Sequence, residues 1–217
     1  MADLTLHTYW RSSAAYRVRI ALNLKGLSYK SVFVDLLKAG GENWKPEYRK
    51  INPQGFVPAL QVGDDILTQS MAIIEYLDEV YPEPRLLPED PVKKAYIRSL
   101  VQLIACDIHP VNNLRIIDYL KNPLGIDQAA RDQWYQHWIS EGFKALEVQL
   151  VNHRTGLYGC GDSPCLLDAF LIPQVYNAHR FHCDMTQFPV IEQVNHQCFL
   201  LESFQQASPD HQEDALK

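Results

Sequence analysis

Two rhythms of apolar residues follow one another along this chain. In the first third they alternate: Leu4, Leu6 and Thr8 sit between polar neighbours, and Tyr29 to Val34 and Val57 to Val62 repeat the period of a half-buried strand. Between the first two strands Val18, Ala21, Leu22 and Leu24 recur at helical spacing, and Gly26 reads as the helix stop. That predicts a β-α-β unit. A loop from Lys38 to Trp44 and a short helix from Pro46 to Ile51 follow; Gly63-Asp64-Asp65 then joins Val57–Val62 to Ile66–Thr68 as a hairpin. Gln69-Ser70 opens an apolar helix through Leu77.

From Val92 onward the period becomes helical. Ala95 to Leu120 reads as one long helix or a pair bent at Pro110. Asp127 to Val151, Cys165 to Phe181 (interrupted at Pro173) and Val190 to Phe204 read as three more. The proline-punctuated stretch from Tyr81 to Pro91 separates the two rhythms. The predicted organisation is a small α/β domain over residues 1–83, a linker over 84–91 and an all-helical domain over 92–217, with a polar tail from Ser208 that is expected to fray.

Composition narrows the function classes. With 217 residues, 47% hydrophobic and 21% charged, the chain has the make-up of an ordinary globular protein. A net charge of -6 gives no electrostatic reason to expect nucleic acid. The start lacks the basic and unbroken apolar segments of a signal peptide, and no run approaches the roughly 20 apolar residues of a membrane span, so a cytoplasmic protein without a membrane partner is expected. The five cysteines, Cys106, Cys160, Cys165, Cys183 and Cys198, include no C-x-x-C pair and suit a reducing compartment. His179 and His182 share a helical face, but no further ligand pair stands at useful spacing, and no metal is expected. Cys165-x-x-Asp168 has the spacing of a capping box with a poor cap in first position, for which Ser163 could substitute. Trp134 and Trp138, four residues apart, read as packing.

Candidate chemistry concentrates at two helix starts. Ser12 and Ser13 lie where the first strand turns into the first helix, and Gln69-Ser70 begins the helix after the hairpin. Unpaired N–H groups and the positive end of the helix dipole favour an anion at such places, and a serine there also serves as a plain N-cap. Arg17, about a turn further on, either adds positive potential or makes a surface or interdomain salt bridge. Pro58 inside a strand-like run calls for a sheet edge or a cis bond.

Taken in order, Arg11-Ser-Ser-Ala-Ala-Tyr-Arg-Val-Arg-Ile-Ala-Leu22, Val57-Pro58, Gln69-Ser-x-Ala-Ile-Ile-Glu-Tyr-Leu77, Arg85-Leu-Leu-Pro88 and Pro173-Gln-Val-x-Asn-Ala-x-Arg-Phe181 resemble the zeta-class glutathione transferases, the maleylacetoacetate isomerases, over nearly the whole chain. The resemblance implies a thioredoxin-like N-terminal domain with an all-α C-terminal domain, and glutathione as a cosubstrate that is regenerated. Catalytic roles fall on Ser12 or Ser13, with Arg17. Glutathione would meet Asn43, Val57, Pro58 (as a cis proline), Gln69 and Ser70, with His109 and Asn113 as looser matches; Arg11, Arg115 and Arg180 would hold the substrate's carboxylates. It further implies cis-trans isomerisation of maleylacetoacetate to fumarylacetoacetate in tyrosine and phenylalanine catabolism, by thiolate addition, bond rotation and elimination, in a homodimer. Ala14 stands where many members carry cysteine, which bears on any protein-thiol role but not on chemistry whose thiol is glutathione's. His109, where glutamine is common, keeps a maleylpyruvate isomerase as the alternative. A general glutathione transferase and a noncatalytic glutathione-fold binding protein complete the alternatives.

Overall fold

In the computed structural model, which describes residues 3–215, the alternating stretches of the first third form one four-stranded sheet. Strands β1 (Leu4–Thr8), β2 (Lys30–Phe33), β3 (Ala59–Val62) and β4 (Asp65–Thr68) lie in the order β2-β1-β3-β4. β1 runs parallel to β2, with Thr5 opposite Lys30, and antiparallel to β3, with Leu4 opposite Val62. A parallel neighbour needs a crossover, and α1 (Ser13–Leu24) supplies it. The β3–β4 turn is a tight one with Gly63 at φ 59°.

β1 departs from clean alternation. Leu6 and Thr8 are buried as expected, but so is His7. The pleat turns His7 away from Leu6, and there it meets the ring edge of Tyr48 in α2 (Pro46–Ile51), centroids 6.0 Å apart. Both faces of the strand are therefore covered. The main apolar core of this unit holds Leu6, Ile20, Leu22, Leu60, Ile73, Ile74 and Leu77 without accessible surface; each contributes about 1.5–3 kcal/mol on burial. The last three lie on α3 (Ser70–Val80).

The chain divides into two compact units, Met1–Leu86 with Phe199–Lys217, and Leu87–Cys198. The C-terminal stretch, read by periodicity as part of the helical half, thus belongs with the sheet. Val190–Phe204, expected as one helix, is split at Leu200–Leu201 into α8 (Pro189–Phe199) and α9 (Glu202–Ala207). α9 packs on α1, burying Phe204 and Ala207 completely. The described part of the tail beyond it, residues 208–215, is held rather than frayed: Ser208 Oγ pairs with His211 Nδ1 at 2.9 Å, and the Gln212 side-chain amide donates to the carbonyls of Gln206 and Ser208.

The second unit is helical. α4 (Pro91–Gln102) starts with Asp90 accepting from the Lys93 amide at 2.8 Å and with Pro91 in the first turn. Instead of one bent helix, the chain then winds through a π-helical turn over Leu103–Ile108 and a 3-10 turn over Pro110–Asn112 before α5 (Leu114–Lys121). Pro110 has no N–H to continue the ladder. α6 (Gln128–His153) is capped by Asp127, and its Gly142 lies against Ile108 so closely that any Cβ would collide with that side chain.

α7 (Leu166–Arg180) runs uninterrupted through Pro173, contrary to the expected break. Every residue from Leu166 to Val175 is buried, and that packing outweighs the roughly 3 kcal/mol a mid-helix proline costs. Its start uses Cys165 as the cap residue, not Ser163. The buried Asp168 carboxylate accepts from the amides of Cys165 and Gly159, both at 2.8 Å, and lies 3.8 Å from the Cys198 sulfur. Burial raises the Asp168 carboxyl above its ordinary range, while the two amides pull it down. Among the described residues, no helix is long and apolar enough to cross a membrane.

Candidate active site

Three pieces of the first unit carry the residues expected to meet glutathione. The first is the start of α1. Ser12, at φ -70° and ψ 116°, is the N-cap; its Oγ accepts from the Ala15 amide at 3.2 Å. That bond uses an oxygen lone pair and leaves the hydroxyl proton for an outside acceptor. Ser12 is partly exposed, whereas Ser13 is buried as the first helical residue. No acidic residue stands in the first turn to compete with an incoming anion.

The second piece is the start of α3. Gln69 holds φ 69° and ψ 118°, a left-handed backbone that a residue with a Cβ adopts only under constraint. The conformation presents the first amides of α3, and the exposed Gln69 side chain bonds Gln54 at 2.9 Å. Ser70 follows, buried, with no acid in that first turn either.

Arg17 joins these two starts. It is buried, not at the surface, and its Nη1 donates to Ser70 Oγ at 3.3 Å. A buried guanidinium carried by α1 therefore stands at the positive start of α3, an arrangement suited to an anionic ligand group.

The third piece is Val57–Pro58. The bond is cis, and both residues precede β3, outside the ladder that begins at Ala59. The turn before them is braced from inside: Tyr48 Oη and Asn52 Nδ2 both donate to the Phe56 carbonyl, at 2.6 and 2.8 Å. Asn43 is part of this bracing. Its carboxamide is buried and donates to the Gly55 carbonyl at 2.8 Å, while Trp44 beside it is exposed. Gly55, at φ 68°, packs so near the Trp44 ring that a Cβ would sit 2.7 Å from it.

Two charged residues missed in the sequence hold the loop before Ser12. Arg19 is completely buried. Its Nε donates to Ala207 O at 2.9 Å, Nη2 to Trp10 O at 2.9 Å, and Nη1 to Thr8 Oγ1 and Tyr9 O at 3.1 and 3.3 Å. Burial lowers its pKa to about 10, which still leaves it charged at neutral pH. An arginine inside the apolar run Val18–Leu22 is the signal that could have found it. Asp214 has no such signal. Its Oδ2 accepts from the Trp10 amide at 2.9 Å, across 204 positions of chain. Arg11, next along, lies over the Trp10 ring at 5.1 Å.

The remaining candidates belong to the second unit. Asn113 caps α5, accepting from the Arg115 amide at 3.1 Å. His109 is partly exposed after the π-helical turn, and Arg115 is exposed on α5. Arg180 is exposed at the end of α7, its guanidinium 4.8 Å from the centre of the Phe181 ring, which stacks on Tyr135 at 3.5 Å. His179 binds Glu192 at 2.9 Å, and His182 falls beyond the helix at φ 54°, so the two histidines do not share a helical face. The Trp134 and Trp138 rings pack edge to face, and Trp134 donates to the Val111 carbonyl.

A thioredoxin-like sheet with a cis proline before its third strand and two anion-ready helix starts defines the N-terminal domain of a glutathione transferase, and residues 2–79 match the family model for that domain. The chain is 48% identical over 215 residues to a probable maleylacetoacetate isomerase of Vibrio cholerae serotype O1, covering 99% of this chain and all of that one. A holo maleylpyruvate isomerase, described as a bacterial zeta-class glutathione transferase, superposes with a TM-score of 0.95 at 45% identity, covering 98% of this chain and 100% of that one. A maleylacetoacetate isomerase from Anaeromyxobacter dehalogenans, solved with dicarboxyethyl glutathione and citrate in its active site, gives a TM-score of 0.87 at 38% identity over 99% and 94% of the two chains. The chain belongs to the zeta-class glutathione transferase family, the group that contains the maleylacetoacetate isomerases.

Proposed function

We propose that this protein is a glutathione-dependent cis-trans isomerase acting on maleylacetoacetate, with Ser12 as the residue that activates the thiol. The observation that carries the reading is the Arg17–Ser70 bond: it ties α1, whose N-cap bears a spare hydroxyl proton, to the helix start suited to a ligand carboxylate, as a tripeptide with a thiol and carboxylates requires. The cosubstrate supplies the nucleophile, whose sulfur adds to the activated double bond, lets it rotate as a single bond and is then eliminated without net redox change. Ser12 donates to that sulfur and favours the thiolate. Ser70 and the first amides of α3, held by the constrained Gln69, receive the γ-glutamyl carboxylate. Val57 offers the backbone of its cis step to the cysteinyl portion. Arg11 and Arg180 are the cations for the diacid substrate, ahead of Arg115. His109 and Asn113 complete the set on the glutathione side. The dicarboxyethyl adduct bound by the Anaeromyxobacter relative has the connectivity of a thiol added across an unsaturated diacid, which supports the addition step.

The maleylpyruvate reading is kept because a relative of that name matches so closely. We further propose a cytoplasmic homodimer working in tyrosine and phenylalanine catabolism, with glutathione transfer as a side activity. The test is glutathione-dependent turnover of maleylacetoacetate against maleylpyruvate, in wild type and Ser12→Ala. The expected result is preference for maleylacetoacetate and a fall of about 10²–10³ in kcat/KM for the mutant. A mutant as active as wild type removes Ser12, and preference for maleylpyruvate replaces the substrate.

A further inference from the structure

The loop that carries Ser12 is short, and three of its main-chain atoms are held from a distance. Tyr9 O receives both the Ser12 amide at 3.0 Å and Arg19 Nη1 at 3.3 Å; Trp10 O receives Arg19 Nη2; Trp10 N–H is taken by Asp214. Arg19 in turn is tied to Ala207 at the end of α9. The peptide units on either side of Trp10 are thus fixed by two charges of opposite sign, one from α1 and one from the C-terminal segment.

That segment is constructed to deliver its carboxylate. Ser208–His211 and the two Gln212 bonds close the chain between Ala207 and Asp214 into a compact spacer, anchored by the buried Phe204, Ala207 and Ser208. Packing alone does not call for an ion at its end. Asp214 Oδ1 is shielded from solvent and has no hydrogen-bond partner among the described residues, a desolvation cost that an apolar side chain would not incur and a neutral amide would incur to a smaller degree. Such a cost beside a proposed reactive centre points to function, because a charged acceptor fixes a single amide more firmly than a neutral one.

We propose that Asp214 is a positioning residue: by holding the Trp10 amide, the C-terminal segment latches the Tyr9–Ser12 turn and fixes where the Ser12 hydroxyl points. The inference rests on the thiol-activating role of Ser12 proposed above. Arg11, lying over the Trp10 ring, is set by the same latch, so thiol activation and the placement of one substrate-facing cation are coupled through one residue far along the sequence.

The test uses the full chain with Asp214→Ala, Asp214→Asn and Asp214→Glu. Three quantities are read: the thiol pKa of bound glutathione by ultraviolet absorbance, kcat and KM for glutathione-dependent isomerisation, and the melting temperature. For Asp214→Ala the bound thiol pKa is expected to rise by on the order of one unit and kcat/KM to fall about tenfold, mainly in kcat. Asp214→Asn, whose neutral carboxamide oxygen still accepts from Trp10 but holds it less firmly, is expected to recover part of both. Asp214→Glu shifts the acceptor by a methylene and is expected to fall between them, which keeps the test valid if the alanine variant does not fold. A wild-type thiol pKa in both the alanine and glutamate variants overturns the latch, as does a loss of turnover that follows melting temperature alone. If wild type itself neither binds nor uses glutathione, the functional proposal fails first and this inference fails with it.

Discussion

At the scale of single residues, two buried bases behave oppositely. Lys25 spends all three ammonium protons: on Asp78 Oδ1 at 2.8 Å, Tyr81 O at 2.7 Å and Pro84 O at 2.9 Å, with no side-chain surface left exposed. Lys25→Met strands those acceptors, and urea denaturation should show a loss of about 3–5 kcal/mol. His7 has no partner on either ring nitrogen among the described residues, and burial lowers its pKa. A depressed base is neutral in the folded chain but takes up a proton near pH 6.5 when unfolded. Its contribution is therefore complete above about pH 6.5 and is lost as pH falls below that. Melting curves between pH 7.5 and 5 should show His7→Leu losing less stability on acidification than wild type.

At this scale the sequence revealed residue types and junctions but not partners. Ser12, Ser70 and Pro58 were legible because helix starts and strand prolines leave local marks. Arg17 and Asn43 were visible as candidates, yet whether each faced a ligand, Ser70 or the Gly55 carbonyl depended on atoms 53 and 12 positions away.

At the scale of elements, periodicity placed every strand and nearly every helix, and failed where tertiary contact overrode local preference. Pro110 ended a helix as its chemistry requires; Pro173 did not, because α7 is enclosed by neighbours along its length. The start of α7 depends on Asp168, which satisfies two amides with one carboxylate. Asp168→Ala leaves both buried and unpaired and should cost about 2–4 kcal/mol by chemical denaturation. Cys165→Ser supplies the better cap acceptor at the same place and should add about 0.5–1 kcal/mol in the same measurement.

At the scale of the whole molecule, the first unit is not continuous in sequence. A fragment ending at Pro88 retains the sheet, α1 and α3, but it lacks α9, the Ala207 acceptor of Arg19 and the Asp214 carboxylate. It should unfold at a lower temperature, by circular dichroism, than the same fragment supplied with residues 199–217 on a flexible linker. What the sequence by itself determined was the class of each element, their order and the two helix starts where anions are welcome, because these follow from dihedral preference, capping and the spacing of apolar side chains, all local properties. Only the tertiary structure decided that a C-terminal tail of polar residues returns to the sheet and takes hold of the loop before Ser12. A hydrogen bond spanning 204 positions leaves no trace in the spacing of neighbours; it exists because folding brings a carboxylate and a main-chain amide within 2.9 Å of each other.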